Sequence, residues 1–141
     1  KKEVYTASDA TSFKNNDAAT KSEYLFMDGS AIFDFTKQRI PIFIDQVIKK
    51  NNDLQVDQFI LHQANKMLLE VIRKRAEIKK EAFYIDLKDG GNTISSTIPI
   101  ALKKYSQLSF KEEAGPKTVL LAGFGVGLSW SGGTATIRKQ L

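Results

Sequence analysis

Residues 57–87 read DQFILHQANKMLLEVIRKRAEIKKEAFYIDL, and the fold depends on this stretch. It opens with DQFILH, a short apolar run that is typical of a buried strand. From about Gln63 to Glu77 the apolar residues, Leu68 and Ile72 among them, share one face of a helix. AFYIDL then returns to a strand pattern. A strand, a helix and a second strand in this order indicate two parallel strands joined by a crossover helix.

The sequence before this stretch predicts one strand and one long helix. EVYTAS at residues 3–8 alternates like a strand, and a polar segment rich in turn formers follows it. The helical pattern runs from Ser30 to Asn51, and Ser30 is a candidate N-cap. We expect Pro41 to kink this helix or to split it, because proline cannot donate the helical hydrogen bond.

The sequence after this stretch predicts a helix from about Thr93 to Tyr105 and two more strands, KTVLLAGFG and GLSWSGGTATI. A short turn joins the strands, so they should be antiparallel, with a bulge at Gly132 and Gly133. We therefore predict an α/β fold with a mixed, mostly parallel, five-stranded sheet, helices packed on it and an antiparallel last strand.

The composition excludes several kinds of site. The chain has 141 residues, no cysteine, one histidine and a net charge of +5. Disulfides, thiolate metal sites and a cysteine nucleophile are thus excluded within the chain, and a histidine-built metal site is not expected. No apolar run reaches the ~20 residues of a membrane span, and no signal peptide is evident. Nucleic-acid binding is not expected, because the aromatic residues are not interleaved with basic ones.

Polar or glycine-rich features follow three of the predicted strands. His62 ends the first, Asn92 lies in the loop after the second, and AGFGVG follows the third. Parallel strands bring such loops together at the carboxyl edge of the sheet, where ligands bind. Each feature also has a structural interpretation: a half-buried histidine, a turn or N-cap asparagine, and a hairpin turn. Together, however, an imidazole N–H and an amide N–H could form an oxyanion site.

Four motifs carry a resemblance to a known family. MDGSAIFDF, LHQAN, GGNTISSTIPIAL and LLAGFGVGLSWSGG occur in this order, from about residue 24 to the end. Together they resemble the C-terminal half of a β-ketoacyl-acyl-carrier-protein synthase III, a thiolase-like condensing enzyme. The resemblance implies that residues 24–141 form the condensing-enzyme domain. Residues 1–23 would then be a strand and a mobile loop leading into it.

The resemblance also assigns roles to individual residues. His62 and Asn92 match the catalytic histidine and asparagine of the family, which donate hydrogen bonds to a malonyl thioester oxygen. The residues that match the substrate-binding positions are Gly29, Phe33, Asn65, Gly125, Val126 and Gly127. A basic group would meet an acidic carrier protein, and Lys66 would also meet a phosphate of the pantetheine arm or of coenzyme A. This group comprises Lys66, Arg73, Lys74 and Arg75.

The resemblance implies a reaction for the full-length protein. Such enzymes condense an acyl group, taken from coenzyme A, with malonyl-acyl carrier protein in fatty acid biosynthesis, using thioesters as substrates and no covalently bound cofactor. The family's nucleophilic cysteine lies in the N-terminal half, which is missing here. We therefore expect this chain to be inactive alone, and to belong to a cytoplasmic homodimer when full length.

Two departures from the family pattern keep alternatives open. Val126 stands where many members have glycine, which narrows the site, and Asp34 stands where some members carry a basic residue. One alternative is an acyltransferase or a polyketide-type condensing enzyme with the same fold and another substrate. Another is a non-catalytic half-domain that binds thioesters or a partner protein.

Overall fold

The computed structural model describes residues 4–5, 26–109, 115–125 and 128–138, and the side chains of residues 28–109, 115–125 and 128–138. The predicted domain boundary near residue 24 lies outside these ranges. The helices and strands follow the order that the sequence predicts, with one additional strand, β2. They are β1 Val4–Tyr5, β2 Phe26–Met27, α1 Gly29–Lys50, β3 Gln58–Leu61, α2 Lys66–Arg75, β4 Phe83–Tyr84, α3 Thr97–Ser109, β5 Lys117–Gly125 and β6 Ser129–Ile137.

The main sheet has four strands in the order β4-β3-β5-β6. β3 is parallel to both β4 and β5, whereas β5 and β6 are antiparallel. The mixed, mostly parallel sheet with an antiparallel last strand is thus confirmed. The predicted fifth strand is not part of it: the described residues of EVYTAS form β1, whose backbone pairs with β2 in a separate two-stranded sheet.

α1 begins and continues differently from the prediction. Its N-cap is Asp28, not Ser30, because the Asp28 carboxylate accepts a hydrogen bond of 2.9 Å from the Ala31 backbone N–H. The helix also runs unbroken through Pro41, so the predicted split does not occur. Ile40 and Ile44, one on each side of the proline, are buried against the sheet and α2. Their packing holds both halves of the helix in place, which offsets the hydrogen bond that proline cannot make.

Helices cover both faces of the sheet. Successive residues of β3 point to opposite faces, as the period of a strand requires: Phe59 and Leu61 pack in the core beneath α1 and α2, and Ile60 packs in a second core with Ala101 of α3. All four residues of β3 are buried, as predicted for its apolar run. Among the described residues, no helix is long and apolar enough to cross a membrane.

The glycine pair of β6 is not a bulge. Gly132 and Gly133 pair in unbroken register with Ala122 and Leu121 of β5. A Cβ atom on Gly132 would lie 2.3 Å from the Leu121 carbonyl oxygen, a distance that real side chains do not adopt. Glycine is needed at this position because the two strands and the Phe43 ring approach so closely, and not because the ladder is interrupted.

Candidate active site

The three features predicted to meet at the carboxyl edge of the sheet do meet there. They line one cavity of about 770 Å³ between α1, α2 and the loops that follow β3, β4 and β5. Six residues from the sequence prediction contribute to its wall: His62, Asn92, Gly29, Phe33, Asn65 and Gly125. Val126 and Gly127, the other two predicted binding residues, lie outside the described part of the chain.

His62 follows β3 directly and is held at three points. Its backbone N–H donates to the Ala122 carbonyl oxygen at 2.8 Å, which ties it to β5. Its ring Nδ1 lies 2.7 Å from the Thr97 hydroxyl oxygen. The Phe124 ring meets it edge-on at a centroid distance of 5.3 Å. Burial lowers the pKa of His62 below its ordinary value, so the imidazole is neutral at neutral pH.

Asn92 is held by its amide oxygen. Its Oδ1 accepts a hydrogen bond of 2.9 Å from the Ile94 backbone N–H. This contact identifies the oxygen and the nitrogen of the amide, and leaves Nδ2 with two hydrogens to donate. Among the described residues, no partner accepts from Nδ2. Asn92 lines the cavity and is exposed, so these two hydrogens are available to a ligand or to water.

Ile94 carries the backbone strain of this loop. Its φ is 55°, in the left-handed region that β-branched residues rarely adopt, and its side chain is 77% exposed. Such a conformation costs about 1–3 kcal/mol and persists only where the surrounding structure imposes it. Here it directs the Ile94 N–H towards Asn92, and the Ile94 carbonyl oxygen lies 3.1 Å from the Thr97 hydroxyl. Ile94 thus contacts both Asn92 and Thr97, the residue whose hydroxyl contacts His62.

Three of the predicted substrate-binding residues, Gly29, Phe33 and Asn65, line the same cavity from the helix side. Asn65 has a structural role as well, because its side chain caps α2 by accepting a hydrogen bond of 2.8 Å from the Leu68 N–H. Gly29 has open space where a Cβ would be. The ammonium of Lys37 lies 5.4 Å from the centroid of the Phe33 ring. Most of the wall is apolar, with Ile32, Phe33 and Leu68 among its residues, as in sites that bind a ligand with an apolar part.

The four predicted docking residues do not share one environment. Lys66, Lys74 and Arg75 are exposed at the two ends of α2. Arg73 is instead bound within the fold: its guanidinium donates to the Glu70 carboxylate at 2.9 and 3.0 Å and to the Ile78 carbonyl oxygen at 3.0 Å. Arg73 therefore braces the end of its own helix, and the exposed positive charge comes from the other three.

The sequence did not point to Thr97 or Phe124, although both contact His62. Phe124 had a usable signal, since it shares a face of β5 with Leu120 and Ala122 by simple alternation. Thr97 had none, because a threonine in the first turn of a helix is ordinary, and its contact with His62 spans 35 positions. No group of three or more metal-ligating side chains is arranged to hold an ion within the described ranges.

A neutral imidazole and an amide that face one cavity can stabilise negative charge on a substrate oxygen without losing a proton. The N-terminal end of α2, at Lys66, lies beside the same cavity and favours anions in the same way. The chemistry that the site supports is therefore the binding of an oxyanion or enolate, with an apolar wall for an attached chain.

Comparison with known proteins shows the family to which the chain belongs. Residues 40–137 match the family described as 3-oxoacyl-[acyl-carrier-protein (ACP)] synthase III C terminal. The chain is 36% identical over 120 residues to β-ketoacyl-[acyl-carrier-protein] synthase III of Lactococcus lactis, covering 84% of this chain. It is 40% identical over 110 residues to the enzyme of the same name from Streptococcus mutans, covering 76% of this chain.

A solved structure shows the same fold. β-Ketoacyl-[acyl carrier protein] synthase III of Thermus thermophilus superposes with a TM-score of 0.75 at 26% identity, over 98% of this chain and 42% of that one. The thiolase-like fold that the resemblance implies is thus confirmed. The chain spans only 36% of the Lactococcus lactis relative and 34% of the Streptococcus mutans relative. It belongs to the family of 3-oxoacyl-acyl-carrier-protein synthase III C-terminal domains.

Proposed function

We propose that this chain supplies the decarboxylation site of a 3-oxoacyl-acyl-carrier-protein synthase III. In this proposal a malonyl thioester enters the cavity and places its thioester oxygen between His62 Nε2 and Asn92 Nδ2. Both nitrogens donate hydrogen bonds to that oxygen as it gains charge. Because these interactions strengthen as the enolate forms, they lower the barrier more than they tighten substrate binding.

The reaction has two steps after an acyl group has been loaded on a cysteine. First, the bond between the malonyl α-carbon and its carboxylate breaks, carbon dioxide leaves, and the electron pair forms an enolate. Second, the α-carbon attacks the acyl-cysteine carbonyl, a carbon–carbon bond forms, and the cysteine thiolate leaves. This chain contains no cysteine. The nucleophile would come from an N-terminal half of the enzyme, and we expect the chain to be inactive without it.

One observation supports this proposal above all others. The Asn92 amide oxygen accepts from the Ile94 N–H, which leaves the Nδ2 hydrogens for other partners, and Asn92 lines the same cavity as His62. A bond from the N–H two residues on is that of an ordinary Asx turn, but here it occurs with a left-handed, β-branched Ile94. The lowered pKa of His62 also supports the proposal. A neutral imidazole can donate to the same oxyanion as the Asn92 amide without repelling the amide hydrogens and without transferring a proton to the oxyanion.

The proposed substrates and partners follow from the family. Acyl-coenzyme A would load the cysteine, and malonyl-acyl carrier protein would deliver the second substrate, with fatty acid biosynthesis as the pathway. The exposed charges of Lys66, Lys74 and Arg75 suit an acidic carrier protein and a pantetheine phosphate. No covalently bound cofactor is needed. The homodimeric state and the cytoplasmic location remain predictions.

The proposal is tested in the complete enzyme by measuring carbon dioxide release from malonyl-acyl carrier protein. His62→Ala and Asn92→Ala should each lower kcat by about 10²–10³-fold, or roughly 3–4 kcal/mol of lost transition-state stabilisation. Gln107→Ala, an exposed change on α3, is the matched control and should leave the rate unchanged. Carbon dioxide release at the control rate in both site variants would refute the assignment.

The same experiment distinguishes a non-catalytic module. A half-domain that only binds thioesters should bind malonyl-coenzyme A without releasing carbon dioxide, whichever cysteine-bearing half is supplied. An acyltransferase or polyketide-type enzyme should still depend on His62 and Asn92 but accept another starter or acceptor. A panel of acyl-coenzyme A thioesters, read by the mass of the acyl-enzyme, would identify that starter.

A further inference from the structure

The Thr97 hydroxyl lies between two possible acceptors but has one proton to give. Its oxygen is 2.7 Å from His62 Nδ1 and 3.1 Å from the Ile94 carbonyl oxygen. The side chain is 3% exposed, so water does not replace either partner freely. The destination of this proton decides which nitrogen of His62 is protonated. A proton given to Nδ1 leaves the hydrogen of the neutral imidazole on Nε2, and a proton given to Ile94 requires it on Nδ1.

The two distances favour donation to the histidine. O–H···O hydrogen bonds normally span about 2.5–3.0 Å, so the 3.1 Å contact with Ile94 is longer than the usual range, whereas the 2.7 Å contact with Nδ1 is short enough for the hydroxyl to donate there. Ile94 also lies on an exposed turn. Its carbonyl oxygen does not depend on the Thr97 hydroxyl, because it also accepts a hydrogen bond from the Thr97 backbone N–H. Among the described residues, Nδ1 has no polar partner other than Thr97.

The ring is braced on a second side, so its orientation does not depend on the hydroxyl alone. Phe124 meets the imidazole at an interplanar angle of 82°, edge to face. With the ring plane held by Phe124 and Nδ1 held by Thr97, Nε2 remains as the nitrogen for a ligand. The other tautomer would present an Nε2 lone pair, which repels an oxyanion instead of binding it.

We propose that Thr97 is a positioning residue that donates its hydroxyl proton to His62 Nδ1 and thereby fixes the Nε2–H tautomer for oxyanion binding. This inference rests on the proposed function of His62 and extends it to a residue that does not touch the substrate oxygen. A hydroxyl is required at position 97, whereas the threonine methyl group serves only packing. Thr97→Ser and Thr97→Val separate these two contributions.

The test is ¹⁵N NMR of this chain labelled on histidine, in which every imidazole signal belongs to His62. The wild type and Thr97→Ser should show a protonated Nε2 and an Nδ1 that accepts a hydrogen bond. In Thr97→Val the two tautomers should mix. In the complete enzyme, Thr97→Val should lower kcat for malonyl decarboxylation by about tenfold with KM unchanged, the equivalent of one hydrogen bond, and Thr97→Ser should keep most of the rate.

Two results would overturn the proposal: a proton on Nδ1 in the wild type, or a Thr97→Val protein with the wild-type tautomer and rate. If Thr97→Val does not fold, the wild-type and Thr97→Ser spectra still decide, because a proton on Nδ1 in either contradicts the assignment. Failure of the proposed function is seen separately. If His62→Ala releases carbon dioxide at the wild-type rate, His62 has no catalytic role, while the NMR result on its tautomer would stand.

Discussion

His62 and Gln63 are neighbours in the sequence, yet their side chains belong to two contrasting polar regions. Gln63 is 1% exposed, and its amide donates to the Leu61 carbonyl oxygen at 2.7 Å and accepts from the Asp86 N–H at 2.7 Å. We call Gln63 and these two backbone partners the amide tie. His62, Asn92, Ile94 and Thr97 form what we call the His–Asn loop, where Nε2 and Nδ2 have no partner among the described residues.

The two regions differ in whether their polar groups are satisfied within the protein, and we use this difference to separate a structural role from a functional one. In the amide tie a buried amide joins the end of β3 to the chain beyond β4, and both ends of the amide are satisfied, as a stable fold requires. In the His–Asn loop, donors remain unused and one residue is strained. Asn92 is exposed, so water can take its Nδ2 hydrogens, and the strain at Ile94 is the feature that the packing does not explain. Strained residues cluster at ligand-binding sites, which agrees with the proposed function. The predictions below test this separation, from the largest effect on stability to the smallest.

Gln63→Leu should produce the largest loss of stability. Leucine fills a similar volume but leaves the Asp86 N–H and the Leu61 carbonyl oxygen without the amide. Unsatisfied buried groups cost about 1–3 kcal/mol, so we expect a loss of about 2 kcal/mol in the free energy of unfolding, measured by urea denaturation. Gln38→Leu on the exposed face of α1 is the matched control and should change it by less than about 0.5 kcal/mol. Equal losses in the two variants would contradict a structural role for the tie.

Ile94→Gly should have the opposite sign. Glycine adopts the left-handed conformation without strain, so the free energy of unfolding should rise by up to about 1 kcal/mol, part of the gain being lost to the entropy of the unfolded chain. Ile94→Ala keeps the strain, because alanine also has a Cβ, and is the control. If glycine destabilises the protein as much as alanine does, the backbone at Ile94 is not strained, and one of the two marks of a functional loop disappears.

Most of the sheet could be predicted from the sequence because its signals are local. The apolar run of β3 and the full extent of β5 follow from alternation and turn residues, and the short link to β6 dictates antiparallel pairing. Helix ends were less predictable: α2 begins at Lys66 and not near Gln63, because Asn65 supplies the cap. The number of strands in the main sheet could not be predicted from local signals either, because it depends on which strand β1 pairs with.

The location of the site could be predicted from the sequence, but the contact that orients His62 could not. The positions of His62 and Asn92 follow from two parallel strands that end at one edge. The contact of Thr97 with His62 spans 35 positions and depends on side-chain geometry across the fold, so no spacing rule encodes it. The bond from Ile94 to Asn92 and the pairing of Arg73 with Glu70 are local, two and three positions apart, and follow the spacings of an Asx turn and of a helical ion pair. Pro41 shows the same limit for the fold itself, since buried neighbours outweighed its helix-breaking tendency.

The smallest predicted effect is the pH dependence that His62 contributes to stability. Burial lowers its pKa in the folded protein, so the unfolded chain, with a histidine pKa of about 6.5, binds the proton more readily. The contribution of the neutral imidazole is therefore present above pH ~6.5 and is lost as the pH falls through the folded pKa, and it should stay below about 1 kcal/mol because the ring is only half-buried. Urea denaturation of the wild type and His62→Gln, at about pH 7.5 and pH 5.5, isolates it, since the other titrating groups are common to both. The wild type should lose more stability than His62→Gln between these two values. A smaller loss in the wild type would mean that folding favours the imidazolium, and the His–Asn loop would then meet its ligand with a positive charge and not with two neutral donors.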